Sequence, residues 1–173
     1  MRDLALKIVR QTFETYVTKN SVFTIPFTIP PELSKPDCGV YIMVFNEPGH
    51  ILRGSQGSHK PTRPNLALEI QHQTILMVKK TLVTKQDLSR LSFELIITRT
   101  PSLLADLGSL RPEDGLMVRT DKSVVGISLP NGYKMNPLER LNKLCAQEGV
   151  DIASSSPRYY KFIVERFSES NKS

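Results

Sequence analysis

Tryptophan is absent from the 173 residues, and cysteine occurs only twice, as Cys38 and Cys145. Two thiols exclude a disulfide framework and a four-thiolate zinc site. The longest uncharged apolar run, residues 39–45, is far too short to cross a bilayer. Near the start, Arg2, Asp3 and Lys7 interrupt any apolar leader of the secretory kind. Long Lys/Arg runs are missing, aromatic residues do not interleave with the basic ones, and no aromatic strand of the RNA-recognition type occurs. Phosphate loops of the Gly-Lys-Ser/Thr kind, G-x-S-x-G elbows and H-E-x-x-H helices are likewise lacking. His50, His59 and His72 do not have the spacing of a preformed metal site. These absences lead to the expectation of a cytoplasmic protein with no membrane segment, metal or cofactor.

What remains is an ordinary globular balance, 39% hydrophobic and 23% charged. The length suits a single domain over residues 1–168, with room for a small second lobe, followed by a frayed tail over 169–173. Lys and Arg total 23 against 17 Asp and Glu, a formal charge of +6. This excess favours an anionic partner: nucleic acid, phosphate or an acidic protein surface. The densest basic groups are Arg53, His59, Lys60 and Arg63, then Lys79, Lys80, Lys85 and Arg90.

Periodicity predicts a helix over 3–18, where Ala5, Ile8, Val9, Thr12, Phe13 and Tyr16 recur at helical spacing. The four prolines of 21–37 predict an extended stretch, and the alternation of Phe23, Ile25, Phe27 and Ile29 suits an edge strand. Residues 39–45 read as a buried central strand, 46–49 as a turn, 50–53 as its antiparallel partner, and 54–64 as a loop. Asn65 is placed to cap a helix over 66–82 bearing Leu66, Ile70 and Met77, with Ile75, Val78 and Leu82 beside them. A strand over 93–98, a turn at 111–115 with Gly115 relieving strain, and a hairpin around 120–123 follow. Asn136-Pro-Leu-Glu139 is a capping-box helix start, Leu138, Leu141, Leu144 and Cys145 are its apolar stripe, and Gly149 is its stop. A last strand is expected over 159–167. The order of elements predicts an α+β fold with a mostly antiparallel sheet and flanking helices.

Chemistry concentrates in Leu52-Arg53-Gly54-Ser55-Gln56-Gly57 and the following Ser58, His59, Lys60 and Arg63. Glycine permits backbone geometry closed to other residues, so the amides around Gly54 and Gly57 can converge into an anion-accepting nest. Arg53 adds a planar fork for carboxylate or phosphate. The competing reading is a tight glycine turn whose Arg53 pairs with a structural carboxylate. Ser55 with His59 or Lys60 is a nucleophile–base pair only if the base stands within hydrogen-bond reach. Cys145 reads as a core residue, and Cys38 has no activating neighbour in sequence.

These same residues resemble the AMMECR domain family. Its hallmark, a G-V-F-V strand followed by L-R-G-C-I-G, reads here Gly39-Val40-Tyr41-Ile42 and then Leu52-Arg53-Gly54-Ser55-Gln56-Gly57. Leu110-Arg-Pro-Glu-Asp-Gly-Leu116, Val125-Gly-Ile-Ser-Leu-Pro130 and the helix before Gly149 follow in the family's order. The hallmark cysteine is Ser55 and the hallmark isoleucine Gln56, Asn131 stands where the family has glutamine, and no D-x-R-F segment follows the second helix. The resemblance implies a compact α+β domain with a small lobe on a larger one. For prokaryotic members it implies company with Memo-like and radical S-adenosylmethionine proteins in a three-part system. It favours a non-catalytic binding module that uses Arg53 to Gly57 toward a protein or anionic ligand. The alternatives are an enzyme or accessory component of that system acting at a cleft beside the same residues, and an RNA-binding domain. With Ser55 in place of cysteine, thiol chemistry at the hallmark is not expected.

Overall fold

In a computed structural model of the chain, residues 1–25, 28–35, 38–120, 124–130, 135–149 and 157–169 are described. The expected hairpin loop at 121–123 and Asn131 lie outside them. The fold is α+β, built on two four-stranded antiparallel sheets. The chain forms two compact units, residues 1–97 with 165–173, and residues 98–164.

The first unit holds α1 (Arg2–Lys19), α2 (Pro31–Ser34), β1 (Gly39–Asn46), β2 (Ile51–Ser58), α3 (Leu66–Lys80), nearly all of β3 (Leu91–Thr98) and most of β8 (Val164–Ser168). Its sheet runs β2-β1-β3-β8. The Glu47 amide donates to the Arg90 carbonyl and the Glu169 amide to the Phe93 carbonyl, so the ends of β1 and β8 both meet the start of β3. All neighbours in this sheet are therefore antiparallel. Alternation sends Val40, Ile42 and Val44 of β1, with Phe93, Leu95 and Ile97 of β3, to one face. That face is covered by Ala5, Ile8, Val9 and Phe13 of α1 and by Leu66, Ile70 and Met77 of α3. Each large apolar side chain buried there stabilises the fold by about 1.5–3 kcal/mol. Phe13 meets Phe93 edge-on, with ring centroids 4.9 Å apart.

One polar group organises this core's rim. The Arg10 guanidinium of α1 forks onto the Glu169 carboxylate, donates to the Leu91 carbonyl at 2.8 Å and the Leu88 carbonyl at 3.3 Å, and lies 4.6 Å from the centre of the Phe93 ring. Glu169 accepts in addition from the Phe93 amide at 3.1 Å. Glu169, expected in the frayed tail, is thus bound on both sides.

Several expectations are corrected. No strand forms over 21–30 among the described residues; instead Ile25 and Ile29 pack on the core, and the Gln71 side chain donates to the Phe23 carbonyl. The alternation there records burial without a ladder, because proline cannot donate to one. Strand β2 extends to Ser58 where a loop from 54 was expected. Leu82 lies beyond the end of α3 and is exposed.

The second unit holds β4 (Ser102–Leu103), β5 (Gly115–Arg119), β6 (Val124–Ser128), α4 (Pro137–Glu148) and β7 (Arg158–Phe162), in sheet order β4-β7-β5-β6. The single strand expected over 159–167 is two strands of different sheets, parted at Ile163, whose carbonyl accepts from the Arg99 amide at 2.9 Å. Gly115 opens β5 rather than relieving a turn: a Cβ there would stand 2.0 Å from the Phe162 ring. Leu104, Leu110, Leu116, Val118, Leu141, Leu144 and Cys145 form this unit's core. Leu138, assigned to the α4 stripe, is exposed, and Arg140 is buried in its stead. The α4 capping box is complete: Asn136 Oδ1 accepts from the Glu139 amide at 2.9 Å and Glu139 Oε2 from the Asn136 amide at 3.0 Å. Gly149 ends the helix with φ 65°.

Asn136→Ala removes one half of that box and is expected to lower stability by about 0.5–2 kcal/mol. Urea unfolding checks this through a reduced midpoint at unchanged slope. Burial pushes the Cys145 thiol up from its ordinary pKa, so the native protein should label at Cys145 far more slowly than the unfolded chain. Mass spectrometry of a timed thiol-alkylation reaction reads the difference.

Candidate functional site

The motif at 52–57 is part of β2, the terminal strand of its sheet. Val40 pairs with Ser58, Ile42 with Gln56 and Val44 with Gly54, after which Phe45 pairs with Leu52. Arg53 has no opposite number on β1; it is the extra residue of a bulge. A bulge bends the strand and redirects a side chain out of the pleat. The exposed Arg53 guanidinium donates from Nη2 to the Leu82 carbonyl at 3.3 Å. Leu82 lies just past α3, and the Arg53 charge also acts on the Asp87 carboxylate, which accepts from the Thr84 amide and hydroxyl.

Neither Gly54 nor Gly57 takes a positive φ; the described glycines that do are Gly49 and Gly149. The expected nest of left-handed glycines is therefore not how this segment is built. The two glycines answer to space. A Cβ on Gly57 would lie 2.2 Å from the ring of Tyr41, its cross-strand partner, and 2.5 Å from the Val40 carbonyl oxygen. A Cβ on Gly54 would lie 2.8 Å from Thr81 Cγ2. Burial pushes the Tyr41 hydroxyl up to about 12.

Pleating divides the remaining motif residues. Gln56 and Gly54 share the face of Ile42 and Val44, toward α3, while Ser55 shares the opposite face with Met43. Gln56 enters a line of hydrogen bonds. Lys80 Nζ donates to its Oε1, its Nε2 donates to Gln73 Oε1 at 3.0 Å, and Gln73 Nε2 donates to Glu69 Oε1 at 2.7 Å. Glu69 Oε2 accepts from the Thr62 amide at 2.6 Å and its hydroxyl at 3.0 Å. Glu69 is fully buried; a buried acid persists where such donors replace water. Sequence reasoning passed over this pair, although a signal was there. Glu69 and Gln73 stand three and seven residues after Leu66, inside the stripe of Leu66, Ile70 and Met77.

The other motif residues are scattered along the exit from β2. Ser58 Oγ donates to the Lys60 carbonyl at 2.7 Å and accepts from the Lys60 amide at 3.3 Å, leaving the Lys60 side chain exposed. Arg63 Nη2 lies 3.0 Å from His72 Nδ1. Burial, then the Arg63 charge, lowers the His72 pKa, which suits a neutral ring accepting from Arg63. His59 is half-buried. Ser55, the nucleophile of the supposed pair, is exposed on β2.

A second polar group, not foreseen from sequence, closes the turn between β1 and β2. His50, at φ 49°, stacks on Phe45 with centroids 3.9 Å apart. Its Nδ1 is 3.1 Å from Glu47 and its Nε2 3.6 Å from Glu94, which also faces Arg166 at 3.5 Å. Hydrogen bonds from Ser92 and His50 hold the Glu47 carboxyl below its ordinary pKa. With Glu47 at Nδ1 and Glu94 facing Nε2, His50 fastens the turn. A cleft of about 930 Å³ lies nearby, lined by Arg2, Lys7 and Arg10 of α1 together with Glu47, Ser92 and Glu169. A smaller one of about 190 Å³ lies between β6 and α4. Arg53 lines neither.

No protein-family model matches the chain. A protein of Thermotoga maritima is 27% identical over 164 residues, spanning 91% of this chain and 92% of the relative. The crystal structure of an uncharacterised protein from Pyrococcus horikoshii matches with a TM-score of 0.81 at 23% identity, covering 98% of this chain and 91% of that one. This shows a shared fold across nearly the whole length.

The steric account of the motif has a direct test. Gly57→Ala forces a methyl into the Tyr41 ring and should cost about 1–3 kcal/mol, the range for overpacking. Ser55→Ala, one pleat away on the same strand, should stay within about 0.5 kcal/mol. Denaturant midpoints of the two variants separate them.

Proposed function

We propose that this chain is a non-catalytic binding module of the AMMECR type, whose β2 edge takes an acidic, extended segment of a partner protein. The observation that carries this reading is the position of Arg53: it sits on the exposed terminal strand of a sheet, outside both clefts. A terminal strand offers unpaired backbone groups to an incoming strand. Ile51, Leu52 and Leu82 are 63%, 52% and 94% exposed beside it, giving alternate side chains of a bound segment an apolar footing. Arg53, Lys60 and Lys80, within a chain of charge +6, select for carboxylates on that segment. The AMMECR likeness points to Memo-like and radical S-adenosylmethionine proteins as sources of the partner. Catalysis at a neighbouring cleft would require the motif to reach one. RNA binding would require aromatic platforms along the basic residues, and the sequence places none there.

Titration of ¹⁵N-labelled protein with an alternating Glu-Val peptide is expected to shift the amides of 51–58. Arg53→Lys keeps the charge and loses the planar fork, so affinity should fall by about 1.5–3 kcal/mol with melting temperature unchanged. Lys60→Ala should lose less and mainly flatten the salt dependence. An Arg53→Lys variant that melts earlier yet binds the peptide equally well refutes the site. Tighter binding of a single-stranded RNA at the same amides would select the nucleic-acid reading instead.

A further inference from the structure

Arg140 is a charged residue on the buried stripe of α4, 5% exposed. Its Nη2 donates to the Ser128 carbonyl of β6 at 3.1 Å, while its Nη1 is buried with no acceptor. A buried guanidinium N–H without a partner forfeits its hydration and gains nothing in return. Burial lowers the Arg140 pKa and nearby Asp114 offsets this only in part, its carboxylate being engaged elsewhere. It accepts from the Arg111 amide at 3.1 Å, from Arg111 Nε at 3.2 Å and from Arg111 Nη2 at 3.1 Å. Arg140 is thus a cation held in place by a strand carbonyl, with one donor unspent.

Arg140 is among the residues lining the cleft between β6 and α4, whose volume is about 190 Å³. Lys143 and Gln147 stand along the same helix, Ser128 lies across it, and Ile127, Leu129, Met135 and Leu144 complete a lining whose exposed surface is mainly polar. Among the described residues the lining carries two cations and no acid. The space is too small for a drug-sized ligand, which needs about 300 Å³ or more, and ample for one tetrahedral or carboxylate group. From the buried cation, the exposed one beside it and the size of the cleft, we propose that this cleft binds a small oxyanion, a phosphate or carboxylate group, with Arg140 as its buried charge and Lys143 as its outer one. Gln147 supplies a neutral amide donor, which orients the group without adding charge.

Inorganic phosphate is the probe, with acetate and chloride as comparison anions at constant ionic strength. Phosphate titrated into ¹⁵N-labelled protein should shift the amides of Ser128, Arg140 and Lys143 saturably, and chloride should not. Acetate moving the same amides at lower concentration assigns the cleft to carboxylates; phosphate doing so assigns it to phosphoryl groups. Arg140→Gln should weaken binding by about tenfold or more, the scale of a charged hydrogen bond. Lys143 is exposed, so Lys143→Ala leaves the fold intact and keeps the test informative should Arg140→Gln unfold; it should weaken binding by about two- to fivefold. Absence of saturable shifts with either oxyanion, or equal shifts with chloride, overturns the proposal and leaves Nη1 to a water. Unaltered phosphate affinity in Lys143→Ala together with folded Arg140→Gln overturns it equally.

Discussion

The first unit hangs on the fork between Arg10 and Glu169. The guanidinium of an α1 residue reaches the end of β8 and the carbonyls that begin β3, and it lies over the Phe93 ring; the carboxylate closes the circle on the Phe93 amide. Helix α1 is thereby fixed in register against β3 and β8, and Phe13 is delivered to Phe93. The pair is half-buried, so it is shielded from salt more than a surface pair and removing one partner would strand the other. Apolar burial supplies most of the stability, but it is non-directional. The fork supplies direction, deciding where along the sheet the helix comes to rest.

The hallmark strand owes its composition to two different demands. Gly54 and Gly57 are small because Thr81 and the Tyr41 ring occupy the space a Cβ would take. Gln56 is polar because it sits in a line of hydrogen bonds that leads from Lys80 through Gln73 to the buried Glu69 carboxylate. Arg53 answers to neither demand. The bulge lifts it out of the ladder, and a long carbonyl contact at 3.3 Å is a weak reason to keep a guanidinium on an exposed edge. The neighbouring His50 cluster differs, with His50 and Ser92 both bonded to the Glu47 carboxylate.

Helices and their ends were legible in the residues, because their causes are local. The spacing of Ala5, Ile8, Val9 and Phe13 marks the buried face of α1, and Asn65, Asn136 and Gly149 cap as their chemistry demands. The strands of the core were legible too, since most of β1 is a continuous apolar run and β3 repeats Phe93, Leu95 and Ile97 at every second position. What misled was periodicity without knowledge of the partner. Ile25 and Ile29 alternate like a strand and pack without a ladder; Leu138 sits at helical spacing from Leu141 and faces outward, while Arg140 takes the inside. The glycine-rich motif suggested a loop with convergent amides, because glycine in sequence does not distinguish a need for unusual φ from a need for room.

By itself the sequence determined the α+β class, the apolar faces, the caps and the exclusion of the familiar metal and nucleotide motifs. Each of these depends on residues a few positions apart, whose interactions are set by the geometry of one helix or strand. Only the tertiary structure decided that the last expected strand is shared between two sheets, that Arg53 stands at a bulge on an open edge, and that Arg140 is buried with a donor to spare. Those facts depend on what a distant segment places opposite each residue: the Tyr41 ring over Gly57, the Glu169 carboxylate before Arg10, the Ser128 carbonyl at Arg140. Burial and hydrogen-bond satisfaction are properties of pairs brought together by folding, and neither can be assigned to a residue before its partner is known.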